Sequence, residues 1–320
     1  MLIAIAAALV GLSALAWSAD RFVEGAAAVA RYLGMAPLLV GMLVIGFGTS
    51  APELVVSAFA ASGGAPEIAL GDALGSNVAN IGLVLGVTAL LTPVLVSRGI
   101  LRKELPVLIG VTVLVGALML DKELSRADAV VLVALLVALI GWSIWLARSR
   151  ADDSLATDVE TEVVSHHLTR RAAWTWLGVG IVSMVISSRI LVWGAVGIAE
   201  RLGWSDLVIG LTVVAIGTSA PELASSIAAV RRGENDLALG NVIGSNLFNT
   251  LGVIGLAGLI SPAAVSPELI TRDLPVVFGL TIALVVFAIW PLGRGRVTRI
   301  EGGLLVAAFA VYMGVLLASA

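Results

Sequence analysis

Along this chain, long apolar stretches alternate with short polar connections. The stretches that contain no Asp, Glu, Lys or Arg are residues 2–19, 73–97, 129–147, 172–188 and 237–267. Runs of about 18 or more such residues are long enough to cross the hydrocarbon core of a bilayer as helices. The pattern therefore predicts a chain that crosses a membrane several times.

The apolar stretches predict an all-α polytopic membrane protein with ten transmembrane helices. The expected spans are residues 2–30, 37–61, 68–91, 104–120, 127–147, 172–199, 206–230, 236–259, 274–291 and 301–318. The polar stretch between the fifth and sixth spans is expected to be a flexible linker, because it is rich in charge and poor in apolar residues. The two halves and the linker are residues 1–147, 172–320 and 148–171.

Composition supports the membrane assignment. Hydrophobic residues make up 59% of the chain and charged residues 13%, whereas a soluble domain has about 45–50% and about 25%. The absence of cysteine excludes disulfides and thiolate metal sites. His166 and His167 lie in the linker, where solvated side chains are expected. The net charge of −3 gives no sign of a nucleic-acid partner, and no obligatory protein partner is evident beside the lipid bilayer.

The distribution of Lys and Arg predicts the orientation. Most of them fall in the connections on the side of the central linker, and the other side has only Lys122, Arg126, Arg201 and Arg272. We therefore expect a cytoplasmic linker and external termini in a cell (inner) membrane. The start of the chain lacks a basic segment and a small-residue cleavage site, so residues 2–19 are expected to remain as the first helix.

The chain also contains an internal repeat. A shift of 169 residues aligns the sequence with itself without a gap from Val23 to beyond Pro106. GTSAPEL at 48–54 recurs at 217–223, and ALGDALGSNVAN at 69–80 returns as ALGNVIGSNLFN at 238–249. Because each half has an odd number of spans, the second half enters the membrane from the opposite side. Inverted five-helix repeats of this kind are a transporter architecture, with the site where the repeats meet.

One acidic residue lies inside a span of each repeat. Glu53 is the only charged residue between Tyr32 and Pro66, and Glu222 is its copy. A charge at the bilayer centre costs about 2.5–3.5 kcal/mol on insertion scales, so it normally faces an interior cavity and has a partner. Without a nearby Arg or Lys, the partner is expected to be a proton or a bound cation. The alternative is a protonated Glu that makes a helix–helix hydrogen bond.

Oxygen-bearing residues surround each glutamate in sequence. The hydroxyl residues three and four positions before them are Thr49, Ser50, Thr218 and Ser219. A proline directly before each glutamate cannot donate a backbone hydrogen bond and predicts a helix break. Carbonyls that such breaks release bind Na⁺ in transporters, and Gly46 and Ala215 are the expected donors.

The next span adds Ser76 and Asn80, four residues apart on one helical face, and their repeat copies Ser245 and Asn249. All these potential ligands are oxygens. Calcium takes six to eight oxygen ligands, whereas zinc and copper favour His or Cys. The residue types therefore indicate Ca²⁺ or Na⁺ as the bound ion.

At these residues the sequence resembles the sodium/calcium exchanger superfamily of cation/calcium antiporters, in particular its compact prokaryotic calcium/sodium antiporters. The segments 42–86 and 211–255 are similar to its two alpha repeats. The resemblance implies exchange of Ca²⁺ for several Na⁺ by alternating access, without a cofactor. It implies that the two glutamates and two asparagines form the central site and that the hydroxyl residues form flanking Na⁺ sites. Several relatives, including potassium-dependent exchangers, carry Asp where this chain has Asn249, so K⁺-independent exchange is expected. Exchange of one Ca²⁺ for about three Na⁺, which the resemblance implies, is expected to be electrogenic.

Other functions fit less well. A proton-driven Ca²⁺ antiporter would use Glu53 and Glu222 as proton sites but would need no cage of hydroxyls and carbonyls. A passive cation channel would need a continuous pore, and an enzyme would need a nucleophile and a base in the spans, which have no His or Cys.

The remaining charged residues near the spans are harder to assign. The charged residues late in the first and sixth spans are expected to be a solvated group at the membrane edge: Asp20, Arg21, Glu24 and Arg189. Asp72, the repeat partner of Asn241, is given at most an entrance role.

Overall fold

The computed structural model describes residues 2–33, 37–64, 66–97, 99–150, 168–201, 217, 219–289 and 295–319. These residues are mostly helical. The helices of the first half are α1 (Leu2–Leu33), α2 (37–49), α3 (Ala51–Ser62), α4 (66–91), α5 (100–118) and α6 (Arg126–Arg150). Those of the second half are α7 (Arg170–Arg201), α8 (Ala220–Arg231), α9 (Asn235–Ile260), α10 (Leu269–Ile289) and α11 (Arg299–Ser319).

Several helices contain a π-helical turn, a widening of the backbone that is frequent at functional sites. Two of these turns lie at matching places in the two halves. They are Asn80–Leu85 in α4 and Phe248–Val253 in α9. A third π-helical turn, Gly41–Gly46, forms the middle of α2.

Seven described helices are long and apolar enough to cross a membrane, and they include parts of α1, α4, α6, α7, α9, α10 and α11. The other three predicted spans are not among these seven helices, each for its own reason. The span expected at 37–61 is divided at Ser50 between α2 and α3. The span expected at 104–120 forms α5, which begins with a highly charged turn. The span expected at 206–230 falls partly outside the described residues, and only α8 belongs to it.

Two short antiparallel sheets join the halves at their connections. Strand β1 (Val94–Leu95) pairs with β4 (Arg296–Val297), and β2 (Glu123–Leu124) pairs with β3 (Ala263–Ala264). Helix α5 runs from β1 to β2, and α10 runs from β3 to β4. The two helices therefore connect the same two sheets in opposite directions.

Helices α1 and α7 pack closely along their length because glycines lie where they meet. A Cβ added at Gly11 would lie 2.5 Å from the backbone nitrogen of Leu191, and one at Gly180 would lie 2.6 Å from the Cα of Phe22. Small residues at such contacts allow helix backbones to approach one another in membranes, where van der Waals packing drives association.

The acidic residues in the second half of α1 pair with an arginine that follows α8. Arg232, just after α8, lies 2.7 Å from Asp20 and 3.6 Å from Glu24. Arg21 forms a 2.8 Å ion pair with Glu24 and lies over the ring of Trp176. Arg189 is exposed and makes no salt bridge with any residue of the described ranges.

Candidate cation site

The helix is interrupted before Glu53 as predicted, and in the second half α8 begins directly after the non-helical Ser219. Ser50 has φ −86° and ψ 1° between α2 and α3, and Ser219 has φ −84° and ψ 4° before α8. Glu53 and Glu222 therefore each lie in the first turn of a helix. The N-terminus of a helix carries a partial positive charge, which favours a carboxylate.

The two glutamates are buried neighbours. Each is 1% exposed, and the two carboxyl groups lie close enough for their charges to repel each other. The carboxyl group of Asp72 lies within electrostatic range of both glutamates. Both carboxylate oxygens of Glu222 and Oε2 of Glu53 lack a hydrogen-bond partner among the described residues. Buried carboxylate oxygens without partners are costly, so the arrangement needs positive charge from outside the chain.

The asparagines of α4 and α9 are buried, and some of them contact each other across the two halves. Asn80 donates from Nδ2 to Oδ1 of Asn246 at 3.2 Å, and Asn77 donates to Oγ1 of Thr250 at 2.7 Å. These contacts leave Oδ1 of Asn80 and both polar atoms of Asn249 without partners in the part of the chain that the structure describes. Since all five residues are buried, the free amide oxygens add to the unpartnered oxygens of the glutamates.

The hydroxyls of the first half lie against the second half. Thr49 and Ser50 are adjacent to the carboxylate of Glu222 rather than serving only Glu53 on their own segment. Oγ1 of Thr49 also lies 3.1 Å from Oδ1 of Asn241 and 3.3 Å from Oγ of Ser245. The hydroxyl of Thr49, four residues before Glu53, therefore contacts the other repeat.

The remaining predicted ligands have different positions. The Gly46 carbonyl accepts hydrogen bonds from the Ser50 N–H at 3.0 Å and from Oγ of Ser245 at 3.4 Å, so it lies where the two repeats meet. Ser76 is buried, and Oγ of Ser219 has no partner among the described residues. The predicted ligands that lie outside the described residues are Ala215 and Thr218.

Asn241 has a structural role that the sequence did not reveal. Its Nδ2 lies 3.1 Å from the Glu222 carbonyl oxygen and 2.9 Å from Oγ of both Ser225 and Ser226. Together with the contact from Thr49, these bonds fix α8 against α9 and position Glu222. The only sequence signal for this role was that residue 241 aligns with residue 72 of the first repeat. The two positions carry different residues, Asn and Asp, so the alignment did not indicate a shared role.

The oxygen inventory favours a hard cation. The described residues contain no group of three His, Cys, Asp or Glu side chains that could hold a metal ion. Any ion bound here would therefore draw on two carboxylates together with neutral amide, hydroxyl and carbonyl oxygens. Such mixed oxygen sets suit Ca²⁺ and Na⁺ better than Zn²⁺ or Cu²⁺.

Among the described residues, neither buried glutamate forms a salt bridge with a basic side chain, and a helical membrane protein with such acids has the features of an ion transporter. The sodium/calcium exchanger protein family matches residues 3–145 and 172–318. The chain belongs to this family of membrane antiporters, which are transporters and not enzymes.

Individual proteins are also similar to this chain in sequence and in structure. The chain is 44% identical to the putative antiporter CaxA of Alkalimonas amylolytica over all of both chains, and 40% identical to the inner membrane protein YrbG of Escherichia coli over 96% of each. Its structure matches the sodium-calcium exchanger NCX_Mj, studied with Na⁺ and Ca²⁺, with a TM-score of 0.83 at 29% identity over 98% of each chain.

Proposed function

We propose that this protein is a secondary active transporter that exchanges Ca²⁺ for Na⁺ across the membrane by alternating access. The observation that carries the proposal is the cluster of buried oxygens without partners among the described residues, contributed by Glu53, Glu222, Asn80 and Asn249. The first and second halves each supply two of these residues. A cation held between them would be released when the halves move relative to each other.

The roles divide by chemistry. The two glutamates and two asparagines form the central Ca²⁺ site, and the glutamates also bind Na⁺. The hydroxyl residues form the flanking Na⁺ sites, helped by the carbonyls of Gly46 and Ala215, and they are Thr49, Ser50, Ser76, Thr218, Ser219 and Ser245. The proximity of Thr49 and Ser50 to Glu222 supports shared sites that span both repeats. The sodium-calcium exchanger NCX_Mj, to which this chain is similar, gives the proposal independent support.

We further propose the full arrangement of ten membrane helices in two inverted five-helix repeats. The two sheets support it. Strands β1 and β3 follow the third span of their repeats, and β1 pairs at one end of α5 and α10 while β3 pairs at the other. Equivalent connections of the two halves thus lie at opposite ends of the protein, as inversion requires.

Charge balance makes the exchange electrogenic and independent of K⁺ in this proposal. Two carboxylates are balanced by one Ca²⁺, while the hydroxyl-rich flanks accommodate about three Na⁺, as in the family that the sequence resembles. The Na⁺-loaded form then carries one more positive charge. Each net charge moved is worth about 2.3 kcal/mol per 100 mV, so an inside-negative potential favours inward Na⁺ and outward Ca²⁺ movement.

The decisive experiment measures ⁴⁵Ca²⁺ uptake into proteoliposomes that contain the purified protein. We expect rapid uptake under an outward Na⁺ gradient, faster with an inside-positive potential, and unchanged when K⁺ is replaced by an inert organic cation. An outward proton gradient without Na⁺ should drive no uptake. Uptake driven by the proton gradient alone, indifferent to Na⁺ and voltage, would instead establish a proton-driven Ca²⁺ antiporter. A need for K⁺ would contradict the two-carboxylate site.

The proposed orientation places the linker in the cytoplasm and both termini outside. Because the chain has no cysteine, a single introduced Cys is its only thiol. In intact cells an impermeant thiol reagent should label Ala320→Cys and leave Ala156→Cys unlabelled until the cells are lysed. Labelling of Ala156→Cys with protection of Ala320→Cys would reverse the topology.

A further inference from the structure

Asp72 breaks the symmetry between the repeats at a position close to the candidate site. Its repeat counterpart is Asn241, which is 1% exposed and held by hydrogen bonds to α8 and to Thr49. A carboxylate cannot donate hydrogen bonds as an amide does. The locking role of Asn241 is therefore not available to Asp72.

The residues that pair with Asn241 in the second repeat also differ from their counterparts in the first repeat. Asn241 donates to Ser225 and Ser226, whereas the corresponding first-repeat residues are Val56 and Ser57. Oγ of Ser57 donates instead to the carbonyl oxygen of Val253 at 3.4 Å. Oδ2 of Asp72 is buried and has no hydrogen-bond partner within the ranges that the structure describes.

Asp72 also lies in line with the proposed ligands. Ser76 and Asn80 follow it by four and eight residues, so the three side chains share one face of α4. At 1.5 Å per residue they lie about 6 Å and 12 Å deeper along the helix axis than Asp72. Unlike the fully buried glutamates, Asp72 is partly exposed, yet its charge acts on both Glu53 and Glu222.

We infer that Asp72 attracts cations to an access path that opens at the Glu67 end of α4. The cation site then has an acidic approach from this face of the membrane. The approach from the other face passes the neutral Asn241. This inference rests on the proposed cation exchange. The unpartnered oxygens of the buried glutamates are the destination of the path. Because the described residues form no cluster of three acidic ligands, Asp72 acts by attracting ions rather than by completing the coordination of the bound one.

Negative charge at the mouth of a low-dielectric path raises the local concentration of cations. Asp72→Asn, which installs the side chain of the second repeat, should therefore raise the half-saturating Ca²⁺ concentration about tenfold on the Glu67 face. We expect little change on the opposite face and in the maximal rate. Asp72→Glu keeps the charge and should keep the wild-type value. Glu67→Gln removes an exposed acid from the same end of α4 and is the matched control, with little expected effect.

The measurement is Na⁺-driven ⁴⁵Ca²⁺ exchange in right-side-out and inside-out membrane vesicles, with Ca²⁺ varied on one face at a time. Wild type is measured first, and its failure to exchange Ca²⁺ for Na⁺ would refute the proposed function itself. With an active wild type, equal half-saturation values for wild type and Asp72→Asn on both faces would overturn the inference about Asp72. A complete loss of exchange from both faces in a well-folded Asp72→Asn protein would also overturn it, because that result assigns Asp72 to the central site.

Discussion

Replacement of Glu222 by Gln should abolish Ca²⁺ transport while the protein still inserts and folds, and Glu53→Gln should do the same. The change keeps the shape of the side chain and removes one formal charge. At an effective dielectric constant of about 20, two unit charges about 4 Å apart interact by about 4 kcal/mol, and a divalent ion doubles that attraction. A loss of about 4 kcal/mol lowers affinity by about three orders of magnitude.

Both variants should fold, because the buried carboxylates lower the free energy of unfolding of the ion-free protein. Both are buried, and three of their four oxygens have no hydrogen-bond partner among the described residues. An amide at either position removes a buried charge, so the thermal unfolding temperature of the ion-free variants should equal or exceed that of wild type. Stabilisation by added Ca²⁺, which follows from binding to the folded state alone, should disappear.

The matched control is Glu123→Gln, which removes an exposed acid in strand β2. It should transport Ca²⁺ as wild type does and keep its stabilisation by Ca²⁺. The measurements are Na⁺-driven ⁴⁵Ca²⁺ uptake in proteoliposomes and thermal unfolding in detergent with and without Ca²⁺. Near-normal uptake by a well-expressed Glu222→Gln protein would show that the ions bind elsewhere.

The membrane class, the family and the interruption before Glu53 could be predicted from the sequence because each depends on local signals. A proline two residues after each of Ser50 and Ser219 disfavours a continuous helix there, and neither serine has helical backbone angles in the structure. The family membership predicted from the two GTSAPEL segments is confirmed by a match over almost all of both halves. The roles of the individual residues in ion binding stay predictions.

The cross-repeat contacts could not be predicted, because spacing along a helix gives no information about which distant helix lies opposite. Thr49 precedes Glu53 by four residues in the sequence, and the structure also places it beside Glu222 and Asn241 of the other repeat. Asn77 was not singled out, although it contacts Thr250 across the two halves. The Thr49 contacts depend on how closely α2 approaches α9, and glycines of both helices lie where the two meet.

The approach of α2 to α9 gives the second large expected effect. A Cβ added at Gly244 would lie 2.5 Å from the carbonyl oxygen of Met42 and 2.7 Å from its Cα. On the other side of the contact, a Cβ at Gly41 would lie 2.7 Å from the carbonyl oxygen of Leu237. Both helices therefore meet backbone to backbone, where no side chain can turn aside to make room.

Gly244→Ala should consequently push α9 away from α2 and abolish most of the transport activity. Overpacking of this kind costs about 1–3 kcal/mol, which leaves a folded but less stable protein. Transport should suffer more than stability because Ser245, the next residue, lies 3.3 Å from Thr49, and a separation of about 1 Å at the backbone would open this contact beside Glu222. We expect a lower thermal unfolding temperature, a monodisperse elution profile and little Na⁺-driven ⁴⁵Ca²⁺ uptake.

Gly252→Ala on the same helix is the matched control for Gly244→Ala. Its added methyl group would meet only the terminal carbons of Leu136 at 3.2 Å and Leu54 at 3.5 Å, and these leucine side chains can adjust their rotamers. The control should retain most of the uptake and most of the thermal stability of wild type. Full activity in Gly244→Ala, or an equal loss in both variants, would mean that the close contact between α2 and α9 does not set the geometry of the cation site.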